Sequence, residues 1–191
     1  DLLAGPVQLP PAAAAATAAK PSPEVGPALP TPSGRIELYS TNMVRAGGPG
    51  CVGWQPPLVQ PHGDHFRLIH GHVPMHTHTA TANNAILHAI MAENSLWMHP
   101  APAARLGLHD GDLVEVVSAE TGAKQRVRLH VTGGIVPEAV FLAHGFGGGS
   151  PVQTLAYGKG AADAPLVPVH YAPYSAAAAQ CEVLVRVRKV A

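Results

Sequence analysis

Regular alternation of apolar and polar residues dominates the second half of the chain. Lys124 to Val131 sets Val127, Leu129 and Val131 against Arg126, Arg128 and His130, and Glu182 to Val190 sets Val183, Val185 and Val187 against Arg and Lys. That period of two predicts strands with one buried face. Phe66–His70, Ser95–Met98, Leu113–Ser118 and Val136–Ala143 are shorter apolar runs, and they too predict strands. Turn residues punctuate them: His109–Asp112, Glu120-Thr121-Gly122 as a hairpin, and Gly133-Gly134. Ala85–Met91 has helical spacing with Asn83 or Asn84 as N-cap, and Pro100–Leu106 has it with Gly107 placed for a left-handed C-terminal cap. A further short strand is expected at Arg35–Ser40. Many short strands with two or so short helices predict a mainly β fold, a small closed barrel rather than a doubly wound sheet.

Composition divides the chain. Residues 1–34 hold eight prolines and nine alanines, no aromatic residue, and only Asp1, Lys20 and Glu24 as charges. They read as an Ala/Pro-rich linker or arm. Residues 35–65 read as a lead-in strand and loop, and 66–191 as the globular domain, large enough to fold on its own core. The 191 residues carry 12 Lys+Arg against 12 Asp+Glu. That balance argues against a nucleic-acid or anionic-membrane surface. No apolar run reaches membrane-spanning length, so direct membrane insertion is not expected, and residues 1–20 lack the pattern of a signal peptide. Cys51 and Cys181 are too few to hold an iron–sulfur cluster by themselves.

Candidate chemistry concentrates in a few loops. Seven of the 12 histidines fall between residues 62 and 88. His70/His72 and His76/His78 are i,i+2 pairs, which on a strand share a face. That is metal-ligand spacing, but the first acid after His78 is Glu93, too distant for a cupin-like site. The loop 76–84 offers His76, His78, Thr79, Thr81, Asn83 and Asn84, a concentration of hydroxyls, amides and imidazoles suited to a long polar ligand. The predicted helix begins directly after it and turns its first amides toward the same place. Asn83 and Asn84 serve equally well as plain helix caps. Gly145–Gly149 holds four glycines, Gly147 at its centre, and allows close backbone approach.

Several segments, in order, resemble one known family. Thr31–Ser40 is similar to the lead-in of the last domain of molybdopterin oxidoreductases of the dimethyl-sulfoxide-reductase family. His70-Gly71-His72-Val73-Pro74-Met75-His76-Thr77-His78-Thr79-Ala80-Thr81 resembles that domain's opening loop. Leu106–Val114 resembles its Leu-Gly-Ile-x-Asp-Gly-Asp-x-Val turn, and Val131–Val140 a strand pair. Pro168–Lys189 is nearest the polysulfide/thiosulfate reductase branch. The resemblance implies a double-psi β-barrel that binds a molybdopterin guanine dinucleotide, as the C-terminal domain or small subunit of a molybdenum or tungsten oxidoreductase acting on a sulfur compound. It also implies a larger catalytic portion or partner subunit carrying the iron–sulfur and metal-ligand residues, with no turnover and no catalytic residue in this chain alone. Asp163 falls where the branch places a Ser-Asp-Asn or Ala-Asn before Leu-x-Pro, and so joins the cofactor-binding candidates. The chain departs from the family at three places. Gly-Arg in the opening loop is Gly71-His72; Asn-Pro-x-Asp-Ala, whose acid helps hold the guanine, is His99-Pro100-Ala101-Pro102-Ala103; and Asp-Pro-x-Ser-Gly is Ala172-Pro173-Tyr174-Ser175-Ala176. Two other readings stay open: a cofactor-free structural or interaction barrel, and a histidine-rich metal-binding module. The compartment stays open between the periplasm, as part of an exported complex, and the cytoplasm.

Overall fold

The computed structural model describes residues 29–31, 33–51, 53–54, 56–172, 177–178 and 180–190. The chain divides into two compact units, Asp1–Trp54 and Gln55–Ala191. The expected arm lies outside the described residues over positions 1–28, as does the family departure at 173–176.

In the first unit, helix α1 spans Thr41–Arg45, with the Ser40 hydroxyl accepting from the Met43 N–H at 3.2 Å. The sequence pattern did not predict it. The strand expected at Arg35–Ser40 does not form; bends occupy Leu38 and Tyr39. A strand needs a neighbour for its backbone groups, and among the described residues of this unit no strand pairs with Ile36 or Leu38, which are 80% and 85% exposed.

In the second unit, six strands close into a barrel in the order β1-β5-β2-β4-β3-β6. They are β1 (His65–Gly71), β2 (Ser95–Met98), β3 (Leu113–Ser118), β4 (Lys124–Val131), β5 (Ala139–Ala143) and β6 (Leu184–Lys189). Two pairs run parallel, β1 with β5 and β2 with β4. The others, including the seam between β6 and both β1 and β3, are antiparallel. The alternating residues point inward as the pattern requires: Phe66, Leu68, Leu96, Met98, Val114, Val116, Val127, Leu129, Val140, Leu142, Val185 and Val187 form one buried cluster. Such burial is the main favourable term for a fold of this size. β5 starts later than the predicted Val136, because Pro137 brings no N–H and the Ala139 N–H bonds back to the Val136 carbonyl, closing a turn.

Two short helices stand between the strands, and the second packs Ala103 into the barrel core. α2 (Ala85–Ile90) starts at Asn84, whose side-chain oxygen accepts from the N–H groups of Ile86 and Leu87. α3 (Pro100–Arg105) has proline in its first turn and His99 as its cap, its Nδ1 accepting from the Ala101 N–H at 3.1 Å. Gly107 follows α3 at φ 65°, the left-handed geometry expected of it. None of the helices among the described residues is long and apolar enough to cross a membrane.

Candidate functional site

The parallel pairing of β1 and β5 builds one end of the barrel. His70 stands level with Leu142 and Gly71 with Ala143, and the His144 N–H continues the ladder to the Gly71 carbonyl at 2.8 Å. Both strands therefore deliver histidines to the same end: His70 and His72 from one, His144 from the other. Buried Asn94, just before β2, fixes the next piece. Its amide nitrogen donates to the carbonyls of Ala143 (2.7 Å) and Ala161 (2.9 Å), and its oxygen accepts from the Ala161 N–H (2.8 Å). That clamp ties the end of β5 to the loop carrying Asp163.

The result is a cleft of about 720 Å³ lined by His70, His72, His78, His144, Asp163 and His170, with Val167, Pro168, Val169 and Tyr171 on an apolar wall. Its size falls in the range of small-molecule and cofactor sites. At its floor the Asp163 side chain is 5% exposed and joins two imidazoles. His70 Nδ1 donates to Oδ2 at 3.0 Å, and His144 Nδ1 lies 2.9 and 3.0 Å from the two carboxylate oxygens. His70 Nε2 also faces an acceptor, the Gln180 carbonyl, at 3.1 Å. The hydrogen bond to Asp163 raises the His70 pKa most; burial opposes it, and the Gln180 carbonyl adds to the rise. An imidazolium is the species that satisfies both acceptors. For Asp163, burial alone would raise the pKa, but the hydrogen bonds from His70 and His144 outweigh it and bring the carboxyl down to about 2. The floor of the cleft is thus an ion pair with a second imidazole attached.

The candidates read from the sequence divide around this cleft. His78 and Asp163 line it. The His78 ring meets His72 edge-on at 4.2 Å and His144 at 5.1 Å. His78 has φ 49°, and its backbone comes so close to Gly145 that a Cβ there would sit 2.7 Å from the His78 carbonyl carbon. Thr79 lines a much smaller neighbouring pocket with Gly145 and Gly148. The other candidates are engaged in holding the loop. Buried His76 pairs its Nε2 with the Met91 carbonyl at 2.7 Å and its Nδ1 with the Thr81 hydroxyl, which also accepts from the Thr77 N–H. The Asn83 side-chain oxygen accepts from the N–H groups of Leu155 and Ala156. Asn84 caps α2, so two of the helix amides expected to face an anion are taken by its own side chain. Gly147 lets two loops touch: a Cβ on it would lie 2.3 Å from the Ala162 nitrogen.

His70, in β1, and His72, just past its end, both line the cleft. His76 and His78 do not both line it, because those residues lie in a loop and a 3-10 turn, where the period of two has no meaning. Sequence reading missed His144, His170 and Asn94 as parts of the site. His144 sits directly after a predicted strand beside the glycine loop, which was a usable signal. Nothing local marks Asn94 or His170.

Residues 66–183 match the family described as Molydopterin dinucleotide binding domain. The chain is 32% identical over 149 residues to the thiosulfate reductase molybdopterin-containing subunit of Salmonella typhimurium, covering 76% of this chain and 19% of that protein. It is 26% identical over 140 residues to the dimethyl sulfoxide reductase of Escherichia coli, covering 64% of this chain and 16% of that one. In structure it is similar to acetylene hydratase from Pelobacter acetylenicus, with a TM-score of 0.69 at 20% identity over 84% of this chain and 24% of that one. The chain belongs to the molybdopterin dinucleotide-binding domain family, and its fold is a mainly β, closed six-stranded barrel. It spans about a fifth of the length of the curated relatives it matches.

Proposed function

We propose that the cleft between β1, β5 and the Asp163 loop holds a molybdopterin guanine dinucleotide, and that the chain orients this cofactor within a molybdenum or tungsten oxidoreductase acting on a sulfur compound. The observation that carries the reading is the lining of the cleft in a chain of this family: imidazoles from His72, His78 and His144 beside the His70–Asp163 pair, and an apolar wall. That donor set suits a flat heteroaromatic ligand with a doubly charged phosphate linkage, since N–H donors meet phosphate oxygens and the wall receives a ring face. His72 stands where the family's opening loop carries arginine, and it keeps an N–H donor there. The cofactor supplies the two-electron chemistry; these residues bind and orient it and keep one side of it out of water. His99 caps α3 where the family's guanine-holding segment begins, so the guanine end is held by groups other than that segment's acid.

The sulfur-compound assignment rests on the likeness to the thiosulfate reductase subunit. A larger portion or partner subunit supplies the metal ligand and any iron–sulfur cysteines, since two cysteines are fewer than the four a cluster needs and the chain spans 19% of the thiosulfate reductase subunit. The test is cofactor content of the assembled enzyme: pterin fluorescence after acid and iodine release, with molybdenum and tungsten by elemental analysis. One pterin dinucleotide or more per folded chain is expected. A fully assembled, folded protein without pterin would replace this reading with a structural barrel.

A further inference from the structure

The floor of the cleft has a second property that does not depend on a pterin. One ring nitrogen each from His70 and His144 and one Asp163 oxygen lie within 4.8 Å of one another. Asp163 Oδ2 stands 3.0 Å from each of the two nitrogens. Neighbouring ligands on an octahedral ion with bonds of about 2.1 Å are about 3.0 Å apart, and on a tetrahedral ion about 3.4 Å. Both nitrogens therefore already stand at ligand spacing from that one oxygen. His70 adds an independent observation: its far nitrogen, Nε2, faces the Gln180 carbonyl at 3.1 Å. Metal-bound histidines are oriented by such a hydrogen bond from the ring nitrogen away from the ion. Each of the three residues is tied into the barrel. His70 is in β1, His144 is tied to Gly71 at the end of β5, and the Asn94 clamp holds the loop that brings Asp163.

We propose that His70, His144 and Asp163 form a three-ligand site for a divalent transition ion such as Zn²⁺ or Co²⁺, separate from the metal carried by the pterin. The ion displaces the Nδ1 proton of His70 to solvent, while His144 changes tautomer and carries its proton on Nε2, so both rings bind as neutral imidazoles through Nδ1. Two imidazoles and one carboxylate leave a bound dication with net positive charge, and its remaining positions open into the cleft. Imidazole and carboxylate together suit borderline ions of this kind. The open positions accept water or an anionic oxygen from a ligand in the cleft.

The experiment uses the 191-residue chain, stripped with chelator and titrated with Co²⁺ and then Zn²⁺, without any pterin. One saturable Co²⁺ site with ligand-field absorption in the visible, displaced by Zn²⁺, is expected. Asp163→Asn and His144→Gln should each weaken it about 100-fold. His62→Gln/His65→Gln, which removes a histidine pair elsewhere on the chain, should leave it unchanged. Circular dichroism and the melting temperature report folding. His144, whose side chain is 36% exposed, decides the matter if Asp163→Asn does not fold. No saturable site in the parent chain, or a site lost with His62/His65 and kept in folded His144→Gln, would overturn the proposal. Pterin content is read separately, so the two proposals fail independently.

Discussion

Asn94 offers the sharpest test of how the cleft is held. Its side chain is buried at 3% exposure and makes three hydrogen bonds, to the Ala143 carbonyl, the Ala161 carbonyl and the Ala161 N–H. Asn94→Leu keeps the branched shape and removes all three. At about 1 kcal/mol net per bond the loss is about 3 kcal/mol, and more if the three backbone groups stay dry and unpaired. For a unit of this size that corresponds to a fall of about 10 °C in melting temperature. Asn94→Asp should be no better: it keeps the acceptor for the Ala161 N–H but turns a second oxygen on two carbonyls. Thermal denaturation followed by circular dichroism measures the loss. Amide exchange at Ala161 should accelerate more than exchange in β3 and β4, because the clamp holds that loop and not the far side of the barrel. A melting temperature within about 2 °C of the parent, with Ala161 still protected, would refute the clamp as what fixes the Asp163 loop.

Further expectations follow from individual contacts. Leu68→Ala empties the centre of the barrel core and should cost about 2–5 kcal/mol in denaturant unfolding. In chelator-treated protein, the raised His70 pKa gives stability that is full below its unfolded value and lost as pH rises through the folded one. The depressed Asp163 pKa gives stability that is full above its unfolded value and lost as pH falls toward about 2. Stability should therefore peak in mildly acidic buffer, and His70→Gln should flatten the alkaline limb of a denaturation-versus-pH series. Asn84→Ala should cost about 1 kcal/mol through the lost cap of α2 and leave cofactor content unchanged. Thr79→Val, at a hydroxyl with no hydrogen-bond partner among the described residues, should lower pterin content at least about 5-fold if that hydroxyl meets the cofactor; full occupancy would remove it from the site.

The barrel was legible because its strands write their burial into the sequence. β4 begins and ends where Lys124 and Val131 predict, since each inward Val or Leu is followed by an outward Arg or His. Arg35–Ser40 shows the limit of that signal. Alternation states which residues would share a face, but a strand also requires a partner, and the sequence does not show whether one is present. The cleft was half legible for a similar reason. His78 and Asp163, named through motif position, line the cleft, while His76, Thr81, Asn83 and Asn84 carry the same chemistry and spend it on hydrogen bonds to backbone and side chains of the protein itself. Composition cannot distinguish a donor aimed at a ligand from one aimed at the next turn. Asn94 was invisible because its three partners lie 49 and 67 residues away, brought together only by the closed barrel.

The seam at β6 has a consequence for biosynthesis. This strand lies between β1 and β3 and completes hydrogen bonding to both, yet it is the last of the six to be made. Until Leu184–Lys189 arrives, β1 and β3 each present an open edge, and the hydrophobic interior has no sixth wall. Pairing His65–Arg67 with Leu184–Arg186 closes a loop of more than a hundred residues, so the barrel forms late and all at once rather than strand by strand during synthesis. Exposed edges of that kind recruit other strands. A ribosome stalled before residue 184 should hold a chain that chaperones bind and proteases cut, and release of the final segment should convert it to a resistant form in a single step.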